Sequence, residues 1–337
     1  MGAQLESGNI PLQYTDPAEE YWTVKNAAGF ADMSHLGRLT LTGKDRISFL
    51  NGLLTNDLSQ LKEEKGVHSA LLNTKARVLA DLYLYGEENS LLVDTGNAHS
   101  SRVKEILDRF IITEDVQVGD SSEDLVQITV QGPKSTLALK EILGFDAQDL
   151  KPLQHKMLGP SVIISRDRTG LTGYDIILPK DESEAVWQAF LLKGGDMGLA
   201  PVGLKALEIL RLELGLPKYG VDVDENTIIL EAGYKDAISF TKGCYMGQEV
   251  VARATHIGRV NKQLVKIEID ANDVPANRSK LLSEGRDAGF LSSAAFSPGL
   301  KKVVGLAYAN RDFAKEGTRL SIDSEGATLQ AVVVRIV

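Results

Sequence analysis

Cysteine is almost missing from this chain: Cys244 is the single example in 337 residues. No internal disulfide can form, which suits a reducing compartment. Basic charge is also in short supply. Lys and Arg number 37 against 46 Asp and Glu, a net charge of -9, so there is no positive field for a polyphosphate backbone and nucleic acid is not an expected partner. Small anionic ligands remain within reach of individual Arg and Lys side chains. No apolar run attains bilayer-spanning length, and the N-terminal stretch holds no apolar core beside a cleavage site. Glu6 breaks the myristoylation pattern that Gly2 begins. The expectation is a cytoplasmic protein without membrane association.

Metal and nucleotide chemistry lack their marks as well. His35, His68, His99, His155 and His256 stand apart without zinc-ligand spacing, so each reads as an ordinary core or surface residue and no metal is expected. Asp222, Asp224 and Asn226 imitate the opening of a calcium loop, but Thr227 and Gly233 occupy the positions that need Gly and Glu. There is no Walker lysine loop, dinucleotide glycine fingerprint or nucleophile elbow.

What is present is ordinary globular material, 43% hydrophobic and 25% charged, in a chain longer than one core usually supports. Two or three domains follow. Ile47, Leu50, Leu53 and Leu54 recur at helical spacing after a strand at Leu39–Leu41. Runs at 67–72, 77–85 and 90–94, separated by Asn73-Thr74-Lys75 and Glu87-Glu88-Asn89, predict an antiparallel meander. Asn97 reads as the cap of a helix carrying Val103, Ile106, Leu107 and Phe110. A strand at 125–130 and a helix from Pro133 to near Gly144 follow, then strands at 161–165 and 174–178 and helices at 182–192 and 201–214. This alternation predicts an α+β fold. Residues 215–236 form a long, acidic, aperiodic stretch of the kind that is commonly functional. Beyond His256, short alternating runs punctuated by glycine predict a separate β-barrel or sandwich.

The segment Lys242-Gly243-Cys244-Tyr245-Met246-Gly247-Gln248-Glu249, followed by Arg253, is the most specific motif. Free cysteine is normally a buried residue, but here glycines flank it, Lys242 stands beside it, and Gln248 and Glu249 open a helix whose N-terminal dipole favours an anion. Glu249 and Arg253 are spaced to pair on one helix face. The octapeptide resembles the signature of the YgfZ-type folate-binding proteins, relatives of the glycine cleavage T-protein (aminomethyltransferase). Phe30–Gly37, Gly43–Asp57, the run from Leu72 to Tyr85, Arg211-Leu212-Glu213 and Ala288–Asn310 resemble further segments of that family in the same order.

The resemblance implies a three-domain ring around a central folate funnel, with two α/β-sandwich domains and a C-terminal β-barrel. The expected division is 1–50 with 120–245, then 51–119, then 255–337. It implies tetrahydrofolate as cofactor and a hairpin in which Asp81 and Tyr83 contact the pterin, although Ala80-Asp81 stands where the transferase has two aspartates. Asp81 meets ligand only if strand alternation turns it the right way. Asp94 and Asn97 fall at the implied pocket edge. A glutamate that pairs with the pterin is missing near Thr172-Gly173, so Asp175 or Glu231 is its expected substitute. Arg211 corresponds to the arginine that grips the folate tail, while its alternative reading is a structural ion pair. Arg253 completes the ligand set. The first functional expectation is a tetrahydrofolate-binding protein that supports iron–sulfur proteins through the Cys244 thiol. The second is an aminomethyltransferase that uses Asp81 and a lipoyl carrier protein, and the third is a scaffold that has lost its ligand.

Overall fold

The computed structural model describes residues 4–5, 10–256, 260–324 and 327–337. Gly2 and Glu6 lie outside the described residues, as does the side chain of His256. A short antiparallel pair, β1 (Gln4–Leu5) and β2 (Pro11–Gln13), precedes α1 (Pro17–Asn26), β3 (Ala28–Asp32), β4 (Gly37–Thr42) and α2 (Arg46–Leu53). Then come β5 (Gly66–Leu72), β6 (Val78–Gly86), β7 (Ser90–Gly96), α3 (Ser100–Asp108) and β8 (Gln117–Asp120). The chain continues through β9 (Leu125–Gln131), α4 (Ser135–Leu143), β10 (His155–Leu158), β11 (Ser161–Ser165) and β12 (Gly173–Pro179). Helix α5 (Ser183–Gly194), β13 (Leu199–Pro201) and α6 (Leu204–Leu214) complete this part. A long connection with two 3-10 turns reaches α7 (Gln248–His256), and β14 (Lys262–Ile269), β15 (Lys280–Ser283), β16 (Arg286–Ser297), β17 (Lys302–Asn310), β18 (Arg319–Ser324) and β19 (Ala327–Ile336) follow.

These strands build three units. One sheet has the order β10-β11-β12-β9-β3-β13, a second has β5-β6-β7-β4-β8, and the last six strands close into a barrel. The predicted meander is the β5-β6-β7 run, and its alternation explains the burial. Ala80, Leu82 and Leu84 of β6 enter the core shared with Phe49, Leu50 and Leu53 of α2 and Val103 and Leu107 of α3. Tyr85 and Leu92 face the other way and pack on Val162, Ile164 and Ile177 of the first sheet. The two sheets therefore stack through this apolar face.

Local chemistry ends the helices where the sequence indicates. Gly144 and Gly215 adopt left-handed φ of 70° and 66° at the ends of α4 and α6. Three expectations change. Strand β4 hydrogen-bonds to β7 and β8, so 37–53 packs with the second sheet although the division at residue 50 placed it with the first. Helix α3 begins at Ser100 with His99 in the cap position, so Asn97 caps nothing and instead donates to the Tyr219 carbonyl at 3.3 Å. Residues 201–203 stay extended before α6, because Pro201 ends β13. The barrel is tied to the rest by Asp222, which accepts from Ser292 and Ser293 at 2.8 and 2.5 Å, while its carbonyl accepts from Tyr308 at 2.9 Å. No described helix is long and apolar enough to cross a membrane.

Candidate functional site

A cavity of about 510 Å³ opens where the two sheets, the long connection and the C-terminal strand meet. Its lining includes Asp81 and Tyr83 of β6, so alternation turns this carboxylate inward while Ala80 faces the helix-covered core. The register of β5 on β6 sets His68 directly opposite Tyr83. His68 Nε2 and Asp81 Oδ1 are 2.5 Å apart, and the imidazole stacks on Tyr83 with centroids 4.3 Å apart and planes 4° from parallel. The Arg166 guanidinium lies 3.5 Å over the same tyrosine ring. Two groups at such short range cannot share one face, so the phenol is sandwiched and only its edge is left open. Burial pushes the Tyr83 hydroxyl up to about 12. Tyr234 packs edge-on to His68 at 5.6 Å, and its buried hydroxyl has no partner among the described residues.

Behind the cavity lies a cluster of buried charge. Arg166 pairs with Asp94, and Arg168 grips Asp175 with Nε at 3.0 Å and Nη2 at 2.7 Å. Gln127 donates to Asp175 at 3.0 Å. Burial pushes the Asp94 carboxyl up, but Arg166 and Arg168 outweigh it and hold the group below the usual carboxylate range. Asp94 and Asp175 are fully buried, paired with these arginines, and outside the cavity lining. Glu231 pairs with Lys262 at 3.7 Å and lies outside the lining. Arg211 reaches the cavity wall, yet every donor it has is taken. Nε and Nη2 bond Glu208, Nη1 bonds the Leu216 carbonyl and Asp222 at 2.8 Å each, and Nη2 also reaches Ser293 at 3.3 Å. These partners are those of the ion-pair reading.

The cysteine segment runs along the outside. Cys244 is a free, exposed thiol that does not line the cavity, and the exposed Arg253 does not line it either. Lys242 is not turned to the sulfur. Its ammonium donates to the carbonyls of Asn51, Leu54 and Asn56 at 2.7, 2.9 and 2.7 Å and to Asn51 Oδ1 at 3.1 Å, closing the C-terminal end of α2. Burial pushes its pKa down to about 8. Tyr245 is buried in an apolar cluster with Val223, Ile229 and Val251. Gly247 has φ +84°, and a Cβ there would lie 2.7 Å from the Asn73 carbonyl. Gln248 opens α7 as expected. Glu249 and Arg253 form no ion pair among the described residues.

Comparison with known proteins agrees with this architecture. Residues 4–242 match the GCVT N-terminal domain, and residues 262–337 match the glycine cleavage T-protein C-terminal barrel domain. The chain belongs to the glycine cleavage T-protein family. It is 30% identical over 332 residues to the aminomethyltransferase of Thermoanaerobacter pseudethanolicus, covering 96% of this chain and 90% of that protein. The aminomethyltransferase of Nostoc sp. is 32% identical over 337 residues, covering 97% and 88%. In fold the chain is similar to glycine cleavage system aminomethyltransferase T from Bartonella henselae, with a TM-score of 0.91 over 99% of this chain and 93% of that one, at 24% identity.

For this T-protein relative the cavity gathers Asp81, Tyr83, Asn97 and Arg211 from the predicted set. It excludes Cys244, Arg253, Asp94 and Asp175. Sequence reasoning missed His68, Arg166 and Tyr234, and with them the rim cations Lys218 and Arg335. The Asn73–Arg77 turn, closed by Asn73 N to the Arg77 carbonyl at 3.0 Å, starts the hairpin, and a shift of register between Leu71 and Leu72 brings His68 opposite Tyr83.

Proposed function

We propose that the cavity binds the pterin of a reduced folate and that the protein transfers a one-carbon unit to it in the manner of an aminomethyltransferase. The observation that carries this is the placement of Asp81. The apparent loss of an aspartate at Ala80 costs the site nothing, because Ala80 packs in the core and Asp81 is the residue on the cavity face. Relatives named aminomethyltransferase at about 30% identity over nearly the whole length support the same reading. With Arg211 committed elsewhere, Lys218 and Arg335 are the rim cations for the anionic folate tail. Tetrahydrofolate, when bound, supplies the amine nitrogens that accept the carbon. Incubation with an aminomethylated lipoyl carrier and tetrahydrofolate tests the proposal: methylenetetrahydrofolate and ammonia are expected, and Asp81→Asn is expected to lower the rate by about 100-fold. Binding of tetrahydrofolate with no product removes the transferase reading and leaves the folate site.

A second reading rests on Cys244. Within the octapeptide Lys242 closes a helix, Tyr245 fills a core and Gly247 meets a backbone constraint. The thiol makes no hydrogen bond among the described residues, and it is exposed although free cysteines are usually buried. This favours the YgfZ-type role, in which a folate-binding protein supports iron–sulfur enzymes through a surface sulfur. One thiol cannot hold a cluster by itself, so a partner or small thiol shares any such contact. In cells lacking their own copy, Cys244→Ala is expected to bind tetrahydrofolate as wild type does while failing to restore iron–sulfur enzyme activity. Full restoration removes the thiol from the function.

A further inference from the structure

We infer that His68 is a positioning residue for Asp81, holding one carboxylate oxygen so that the other is presented to the cavity; this rests on the transferase reading. The imidazole Nε2 lies 2.5 Å from Asp81 Oδ1. A ring carbon does not approach a carboxylate oxygen so closely, so the contact is a hydrogen bond, whether the imidazole is neutral or charged and whichever partner holds the shared proton. Asp81 Oδ2 makes no hydrogen bond among the described residues, and both side chains line the cavity.

An aspartate carboxylate turns easily about its last torsion, whose wells are broad. With Oδ1 tied, the plane of the group is set. The tether is itself fixed, because the imidazole stacks on Tyr83 at 4° from parallel and the Asn56 amide holds the His68 carbonyl at 2.9 Å. Arg166, paired with Asp94, closes the other face of Tyr83. Strand register completes the arrangement: β5 sets His68 opposite Tyr83, and Asp81 lies two positions before Tyr83 on the same face of β6. A carboxylate already held in its working orientation loses no further conformational freedom when substrate arrives, and this freedom is part of the barrier that a loosely held group must cross.

Turnover of an aminomethylated lipoyl carrier with tetrahydrofolate by the full-length protein tests this. His68→Leu is expected to lower kcat by about tenfold while KM for tetrahydrofolate stays within about twofold. In His68→Gln the side-chain amide can donate to Asp81, so kcat is expected to return to within about threefold of wild type. Added to Asp81→Asn, His68→Leu is expected to lower kcat by less than about twofold more, because a residue that acts through Asp81 then has no carboxylate to position. A histidine with a merely structural role would lower stability without this rescue or this non-additivity. Ligand-free protein supplies a second readout. In NMR spectra of wild type labelled with ¹⁵N-histidine, the proton shared by His68 and Asp81 is expected far downfield of the other imidazole protons and is expected to move upfield in Asp81→Asn. Should His68→Leu fold poorly, that signal decides. A shared proton at an ordinary shift in wild type, an unmoved kcat in a folded His68→Leu, or losses that multiply in the double variant would each overturn the inference. If wild type forms no product, the transferase reading falls, and the pairing then stands or falls by the downfield proton alone.

Discussion

Arg211 and His35 show how little a residue type says about its use until its partners are known. On α6 an arginine among leucines suits a carboxylate-bearing ligand and a structural pair equally well, and only the tertiary fold brings Asp222 from the long connection to decide. If the pair is structural, Arg211→Ala leaves the buried Asp222 without its ion-pair partner, and a loss of about 3 kcal/mol is expected in urea unfolding. A stable variant with weakened folate binding would return Arg211 to the ligand set. His35 lies on the cavity wall with a buried Nδ1 that has no partner among the described residues. Burial, reinforced by Lys218 and Arg168 against Asp32, pushes its pKa down to about 4 from 6.5. The unfolded chain therefore takes up this proton first as pH falls, so the associated stability is present above about 6.5 and is lost toward 4. Wild type is expected to lose about 2 kcal/mol more than His35→Gln between pH 7 and 4.5 in urea titrations, and equal slopes would remove His35 as the cause.

The octapeptide behaves as a structural clasp that carries one exposed thiol. Its lysine ties the 239–247 connection to the end of α2, so Lys242→Met, which keeps the stem but leaves several carbonyls without their donor, is expected to cost about 2 kcal/mol in thermal or urea unfolding. Its glycines differ in kind. Gly247→Ala meets both a positive φ and a backbone oxygen, whereas Gly243 has nothing within 4 Å of a built Cβ. A loss of about 2 kcal/mol is expected for the first and less than about 0.5 for the second, and equal losses would show that the backbone at 247 is not the constraint. The elements legible in the sequence were those with a strong period. The β5-β6-β7 meander announces itself through Leu82, Leu84, Leu91 and Val93, and α6 through its leucines. Strand β16 did not, because Ser292, Ser293, Ala294 and Ala295 are small and carry no clear alternation; their place is set by Asp222 and by pairing with β17. His68 went unread for a similar reason. Its importance comes from a cross-strand neighbour, and no spacing along the chain records it.

Between the two sheets, specificity of docking comes from charge and adhesion from apolar contact. Tyr85 and Leu92 on Val162, Ile164 and Ile177 supply burial, which is tolerant of small shifts, while Asp94 of β7 against Arg166 beyond β11 admits one register. The same arginine covers Tyr83, so the pair that aligns the sheets also shapes the cavity floor. Neither partner was readable as such, since Asp94 is a lone carboxylate ending an apolar strand and Arg166 opens a polar turn some seventy residues later. Asp94→Ala leaves Arg166 charged and buried, and a loss of about 3–5 kcal/mol is expected in urea unfolding. Removing both charges is a smaller injury, because the desolvation cost of the guanidinium disappears with it. The double variant Asp94→Ala with Arg166→Met is therefore expected to recover at least half of that loss while binding tetrahydrofolate more weakly, Tyr83 having lost its cover. If the double variant is as unstable as the sum of the single changes, the two groups are not coupled and the alignment of the sheets must rest on the apolar face alone.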